Sequence, residues 1–222
     1  MAISSSLILE IKNAVAGVVN RELTTAATQA NLFKSYVLSI VLEAIQNEGG
    51  SIQYKNVSEE APQRLVLRKK PGSLSGTHPY THALIEFPNK PRLEVHLGVK
   101  VQGRSGVLHD CDLLVLYYKE AAACRLLNRE PRHSQVILAV KCQHSTSELK
   151  MELAGAFMGL ASDFRYEGGS YFVSNSESDA VAKLLTLARK KWEHNVIPSS
   201  RNDVNRLMYS VQTIFKNFKA RH

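Results

Sequence analysis

Hydrophobic positions in this chain fall first into helical and then into strand-like spacing. Leu7, Ile8, Ile11, Val15 and Val18 lie along one side of a 3.6-residue repeat, which predicts an amphipathic helix over residues 7–19. Residues 24–28 break that pattern. Asn31 then caps a second predicted helix over 31–48, which Gly49-Gly50 stops. Shorter runs at 51–57, 64–68, 83–87 and 93–101 read as strands separated by Pro- and Gly-bearing turns. The runs LLVLYY at 113–118 and VILAVKCQ at 136–143 read as buried central strands, with a short helix over 120–128 between them. Ser145-Thr146-Ser147-Glu148 matches a capping box and predicts a helix over 148–160. A short strand at 171–173 and two closing helices follow. The last of these carries Val204, Leu207, Met208, Val211, Ile214, Phe215 and Phe218 as one stripe with a basic opposite face. Between the strands, KKPGSLSGTHPYT at 69–81 is the most loop-like stretch and is expected to be mobile. Helices flanking a mixed sheet define an α/β domain.

Composition narrows this further. A chain of 222 residues, 44% hydrophobic and 22% charged, can bury one sizeable core with an appended helical piece. No apolar run reaches bilayer length, and the N-terminal stretch, with Glu10 early and no basic start, does not read as a secretory signal. No membrane partner is therefore expected. Three cysteines, Cys111, Cys124 and Cys142, form neither a CxxC pair nor an even disulfide set, which points to a reducing, cytoplasmic setting. The net charge of +8 is uneven: residues 181–222 hold nine lysines and arginines against two acids, an excess of seven. Such clustering is the electrostatic footprint of a phosphate-backbone binder, with Lys190, Lys191, Arg201, Arg206, Lys216 and Lys219 as the DNA-contacting candidates. A solvated basic helix is the plain alternative.

Strand alternation sorts the remaining polar residues. Asp110 and Asp112 share one face of their strand, and Ala139, Lys141 and Gln143 share one face of theirs. Acids and a lysine at the ends of apolar central strands are costly unless they bind something. Asp112 opens the buried run and is the leading candidate; a strand-entry turn is its structural alternative. Glu43 is the only charge in 36–45, and charges are rarely buried without a partner. Glu94 precedes the Asp-bearing strand. Glu148 and Glu152 share a helix face, with Glu148 expected to cap.

The order strand, Asp-bearing strand, strand with an acid-x-Lys position, then helix resembles the PD-(D/E)xK superfamily over roughly residues 30–175. The resemblance rests on the helix at 31–48, the strands around 65–67 and 93–101, Asp112, the strand at 136–143 and the helix after it. It implies a restriction-endonuclease-like mixed sheet over 1–175, with 176–222 as a basic C-terminal helical pair on the same domain. In that family an aspartate and a glutamate hold magnesium, and a lysine two residues beyond the second acid orients the attacking water. Here one register puts Lys141 in the acid slot and Gln143 in the lysine slot. The other puts Ala139 in the acid slot and Lys141 in the lysine slot. Both lose the acid.

Two functions follow as expectations. The first is a Mg2+- or Mn2+-dependent DNA endonuclease, with Asp112, Glu43 or Glu94 as metal ligands and Lys141, Gln143 and Glu43 beside Asp112 in catalysis. The second is an inactive nuclease-fold protein that binds DNA, with RNA left open, or assembles with a partner, and needs no metal. In it, Lys141 fills the metal's place and pairs with Asp112 or Glu43. A homodimer is a candidate assembly for either. No GxGxxG or P-loop sequence occurs, which argues against a dehydrogenase or nucleotide-dependent transferase.

Overall fold

A computed structural model describes residues 29–63, 65–76, 78–164 and 169–222. The helix expected over 7–19 lies outside them. The chain runs α1 (Gln29–Asn47), β1 (Ser51–Lys55), β2 (His82–Glu86), β3 (Leu93–Gln102), β4 (Leu108–Tyr117), α2 (Tyr118–Leu127), β5 (Val136–Gln143), α3 (Met151–Asp163), β6 (Gly169–Ser174), α4 (Asp179–Leu187), β7 (Lys191–Glu193) and α5 (Arg201–Arg221). All seven strands form one sheet in sequence order. Pairing is antiparallel from β1 to β5 and parallel from β5 to β7. The switch follows from the connections. Short turns join β2 to β3 and β3 to β4, residues 56–81 join β1 to β2 and α2 lies between β4 and β5, whereas α3 and α4 are the crossovers that parallel neighbours require.

Helices cover both faces. On one, Phe33, Val37, Val41 and Ile45 of α1 and Leu207, Val211 and Phe215 of α5 meet Leu93, Val95, Leu113, Leu138 and Val140. On the other, Ala121 and Cys124 of α2 and Leu160 of α3 meet Leu114, Leu116 and Ala139, while Phe157 and Leu185 close over Phe172. Residues 176–222 thus contribute both a strand and a core helix to the same sheet.

Several sequence expectations change. Residues 65–68 form no strand, although Val66 and Thr81 exchange hydrogen bonds of 2.8 and 2.9 Å; the Arg68 guanidinium instead ties the carbonyls of Gly72, Ser73 and Gly98. The loop-like stretch that follows is anchored, with Leu74 and Tyr80 buried and Gly72 bridged to Val99. At Gly98 φ is +60°, and a Cβ there would stand 3.0 Å from the Lys70 carbonyl, so glycine is required. That inversion moves Leu97 and Val99 into opposite cores. β4 begins at Leu108 rather than at 113, because its first residues pair with the long β3 before β5 joins. The helix expected from Glu148 begins at Met151. Ser145 hydrogen-bonds Ser147 and Asn175 rather than Glu148, Leu149 is buried, and the extended Lys150 precedes the first helical residue. The closing helices are not a pair. β7 separates them, α4 lies against α3 and α5 against α1, on opposite faces.

The end of α2 is fixed by Glu120, which is 4% exposed and accepts hydrogen bonds from both Arg129 and Arg132. Burial pushes its carboxyl up, but these bonds outweigh it and leave the pKa at about 2, against an ordinary 4.5. The unfolded chain therefore takes up this proton first. The stabilisation is complete above about pH 4.5 and is lost as pH falls through about 2. Urea unfolding between these values should show a steep acid loss that Glu120→Gln flattens; an identical slope in the variant would remove Glu120 as its source.

Candidate functional site

The β4–β5 ladder runs from Leu116↔Val136 to Leu113↔Val140, so the same register sets Asp112 opposite Lys141. Beyond the ladder the Asp112 side chain stands in for backbone: its Oδ2 accepts the Cys142 N–H at 2.9 Å. Two ammonium groups close on the same carboxylate. Lys34 Nζ of α1 is 2.7 Å from Oδ1, and Lys141 Nζ is 3.5 Å from Oδ2 and donates to the Asp110 carbonyl at 3.4 Å. The Asp112 side chain is 4% exposed, those of Lys34 and Lys141 17% and 29%. One buried carboxylate thus faces two cations and a backbone donor. A divalent ion at Asp112 would have to displace ammonium groups from oxygens they already neutralise.

The remaining candidates lie elsewhere. Gln143 donates to the His144 carbonyl at 3.0 Å. His144 rests edge-on against Phe33, and burial lowers its pKa. His109 contacts Asp163 at 2.8 Å, and Asp110, Glu148 and Glu152 are exposed. Glu43, as the one charge in an apolar run, is expected to be buried. It is exposed instead, the single exposed residue of 36–45. α1 is covered by the sheet on one side and by α5 on the other, which leaves a solvent strip one residue wide. Glu43 lies nine residues beyond Lys34, half a turn around and roughly 13 Å along the helix, so it does not approach Asp112.

Glu94 belongs to a second cluster on the face covered by α2. It is 0% exposed. Arg125 of α2 forks onto it at 2.8 and 2.9 Å, and His96 Nε2 meets Oε2 at 2.6 Å. Burial pushes the Glu94 carboxyl up, but Arg125 and His96 outweigh this and hold it at about 2.

The basic tail divides. Lys190 and Lys191 line a cleft of about 510 Å³ with Arg189, Arg221, Ser170 and Asn217, and no acidic side chain lines it among the described residues. The cleft sits at the Tyr117 and Val136 end of the sheet, roughly 17 Å along β4 from Asp112 at the usual strand rise. Arg206 is occupied by Glu193 and Asp203, and Lys219 holds the Glu48 carbonyl at 2.7 Å and its carboxylate at 2.9 Å, with Lys216 nearby at 3.6 Å. Arg201 is exposed at the start of α5. The tail's excess charge therefore serves folding at Arg206 and Lys219; at the cleft Lys190 donates to the Ala161 carbonyl at 3.3 Å and Lys191 to the Tyr171 hydroxyl at 3.1 Å, while Arg189, Lys191 and Arg221 are exposed.

Sequence reasoning missed Lys34, Arg125, Arg189 and Arg221. Nothing local marks Lys34, whose role depends on an acid 78 positions later. Arg189 and Arg221 carried a signal as members of the basic tail. Comparison with protein-family models, curated proteins and solved structures finds no match to this chain. Among the described residues no helix is long and apolar enough to cross a membrane. The fold and site together define a mixed α/β protein with a seven-stranded sheet flanked by helices.

Proposed function

We propose that this chain is a non-catalytic DNA-binding protein built on a restriction-endonuclease-like fold, with the phosphate backbone held in the basic cleft. The observation that carries the proposal is the neutralisation of Asp112 by Lys34 and Lys141. The strand order β3, β4, β5 followed by α3 suits the PD-(D/E)xK arrangement. In it, position 141, opposite Asp112, is where a second acid would complete a metal site. A lysine there, and another reaching in from α1, supply the positive charge that a metal would bring, but neither activates water as a bound metal does. The cleft accounts for the binding half: its cations have no carboxylate among their lining neighbours, so phosphates are their available counterions.

A labelled duplex measured by fluorescence anisotropy across salt tests both halves. The native chain should bind with a steep salt dependence and should leave plasmid DNA intact in magnesium and in manganese. Arg189→Ala, Lys191→Ala and Arg221→Ala together should weaken binding at least tenfold, with an unchanged melting curve. The log–log slope should fall by roughly 0.9 for each phosphate the variant no longer neutralises. Undiminished binding by the triple variant overturns the cleft assignment. Metal-dependent cleavage that disappears in Asp112→Ala overturns the non-catalytic assignment.

A further inference from the structure

The cluster around Glu94 has a property that an ion-pair network alone does not explain. His82 is 2% exposed, and neither of its ring nitrogens has a hydrogen-bond partner among the described residues. His96 Nδ1 is buried and unpartnered as well. Buried polar atoms in native structures are nearly always satisfied, so an imidazole with both nitrogens idle calls for a ligand. Two carboxylate oxygens stand beside it, Glu94 Oε2 at 3.7 Å and Glu59 Oε1 at 3.6 Å from His82 Nε2. Those separations are too long for hydrogen bonds. They match the edge of a coordination tetrahedron, about 3.4 Å when each ligand stands about 2.0–2.1 Å from zinc.

We propose that His82, His96 and Glu94, with Glu59 as fourth ligand, form a closed structural site for one divalent ion of the zinc class. One ring nitrogen of each histidine and one Glu94 oxygen already lie within 4.8 Å of one another. Glu94 and His96 alternate on β3, and His82 opens β2 beside them, with the two imidazoles stacked at 4.9 Å. Glu59 reaches in from the turn after β1, which Asn56 holds by accepting the Ser58 and Glu60 N–H groups at 2.9 and 3.0 Å. Burial keeps both histidines neutral, His82 with a pKa of about 3, and neutral imidazole is the form that ligates.

The charge balance also suits a cation. Two carboxylates here stand against one guanidinium, the reverse of the two ammonium groups on Asp112: Arg125 bonds both Glu94 oxygens at 2.9 and 2.8 Å and lies 2.5 Å from Glu59 Oε1, so the pair keeps one negative charge and spare lone pairs for an ion. Lys55 and Arg92 act on Glu59 from farther off, and Arg68 is stacked on Tyr80 at 3.8 Å and fixed to backbone carbonyls. Two imidazoles with carboxylates favour zinc, cobalt or nickel over magnesium or calcium, which prefer oxygen alone. With Glu59, whose side chain is 35% exposed, closing the fourth position from the rim, the ion's role is to pin the 56–60 turn, β2 and β3 together. This site is independent of DNA binding and lies on the face of the sheet away from Lys34.

The test uses the full chain without an affinity tag. Purified without chelator, it should retain an equimolar amount of zinc by elemental analysis. After stripping, cobalt should produce a tetrahedral absorption band and zinc should raise the melting temperature, whereas magnesium should do neither. His82→Gln and His96→Gln should each abolish the cobalt band. If either variant does not fold, the stripped native chain still decides. Absence of both a cobalt band and a zinc-induced shift in the native chain overturns the proposal, as does a band that survives in both variants.

Discussion

Asp112→Ala should destabilise the protein by about 2–3 kcal/mol in chelator, measured by urea unfolding. The change strands two ammonium groups beside each other and leaves the Cys142 N–H without its acceptor. Breaking a fully buried ion pair costs about 3–5 kcal/mol. Lys34 and Lys141 keep some access to water, which relieves part of that penalty. Adding Lys141→Met to Asp112→Ala should recover part of the loss, so the double-mutant cycle should show favourable coupling. A carboxylate cluster held only by its metal, with no side-chain cation beside it, behaves oppositely: without the ion its members repel one another, and removing one is neutral or stabilising. An Asp112→Ala chain as stable as the native one in chelator would therefore restore the metal-ligand assignment.

Glu94→Ala should have the larger effect, about 3–5 kcal/mol, again in chelator so that metal release does not contribute. The carboxylate is 0% exposed and receives both arms of Arg125 as well as His96. Its loss leaves the guanidinium with Glu59 alone, and the Arg125 side chain is only 12% exposed. Arg125→Met should cost a comparable amount from the other side, and the two changes together should cost well under their sum. Additive losses would show that Arg125 and Glu94 do not act as a unit.

The acids illustrate what can be read from residues alone. Alternation brings Asp112 and Lys141 together: both sit at the ends of apolar runs on sharing faces, and an antiparallel register of a few residues completes the contact. Glu43 misleads for a definite reason. An apolar run with one charge is consistent with a buried acid or with a helix exposed along a single narrow strip, and only the position of α5 distinguishes them. Glu94 stands out as an acid in a strand, but its partners His82, Arg125 and Glu59 come from other elements, 12, 31 and 35 positions away.

What the sequence determined by itself is therefore local. Periodicity placed α1, β3 and β5 to within a few residues, because burying a stripe or a face constrains spacing along the chain. Glycines stopped α1, and the runs of 93–101 and 136–143 read as strands and are strands. What the tertiary structure decided is every long-range pairing. It set Lys34 on Asp112, delayed the start of α3 by locking Ser145 to Asn175, inserted β7 between two helices expected to be neighbours, and gathered Arg189, Lys190, Lys191 and Arg221 around one cleft. Side-chain charge carries no record of its partner. Electrostatic complementarity acts through space at a few ångströms, so the residues that neutralise a buried group become known only when packing has fixed their distance.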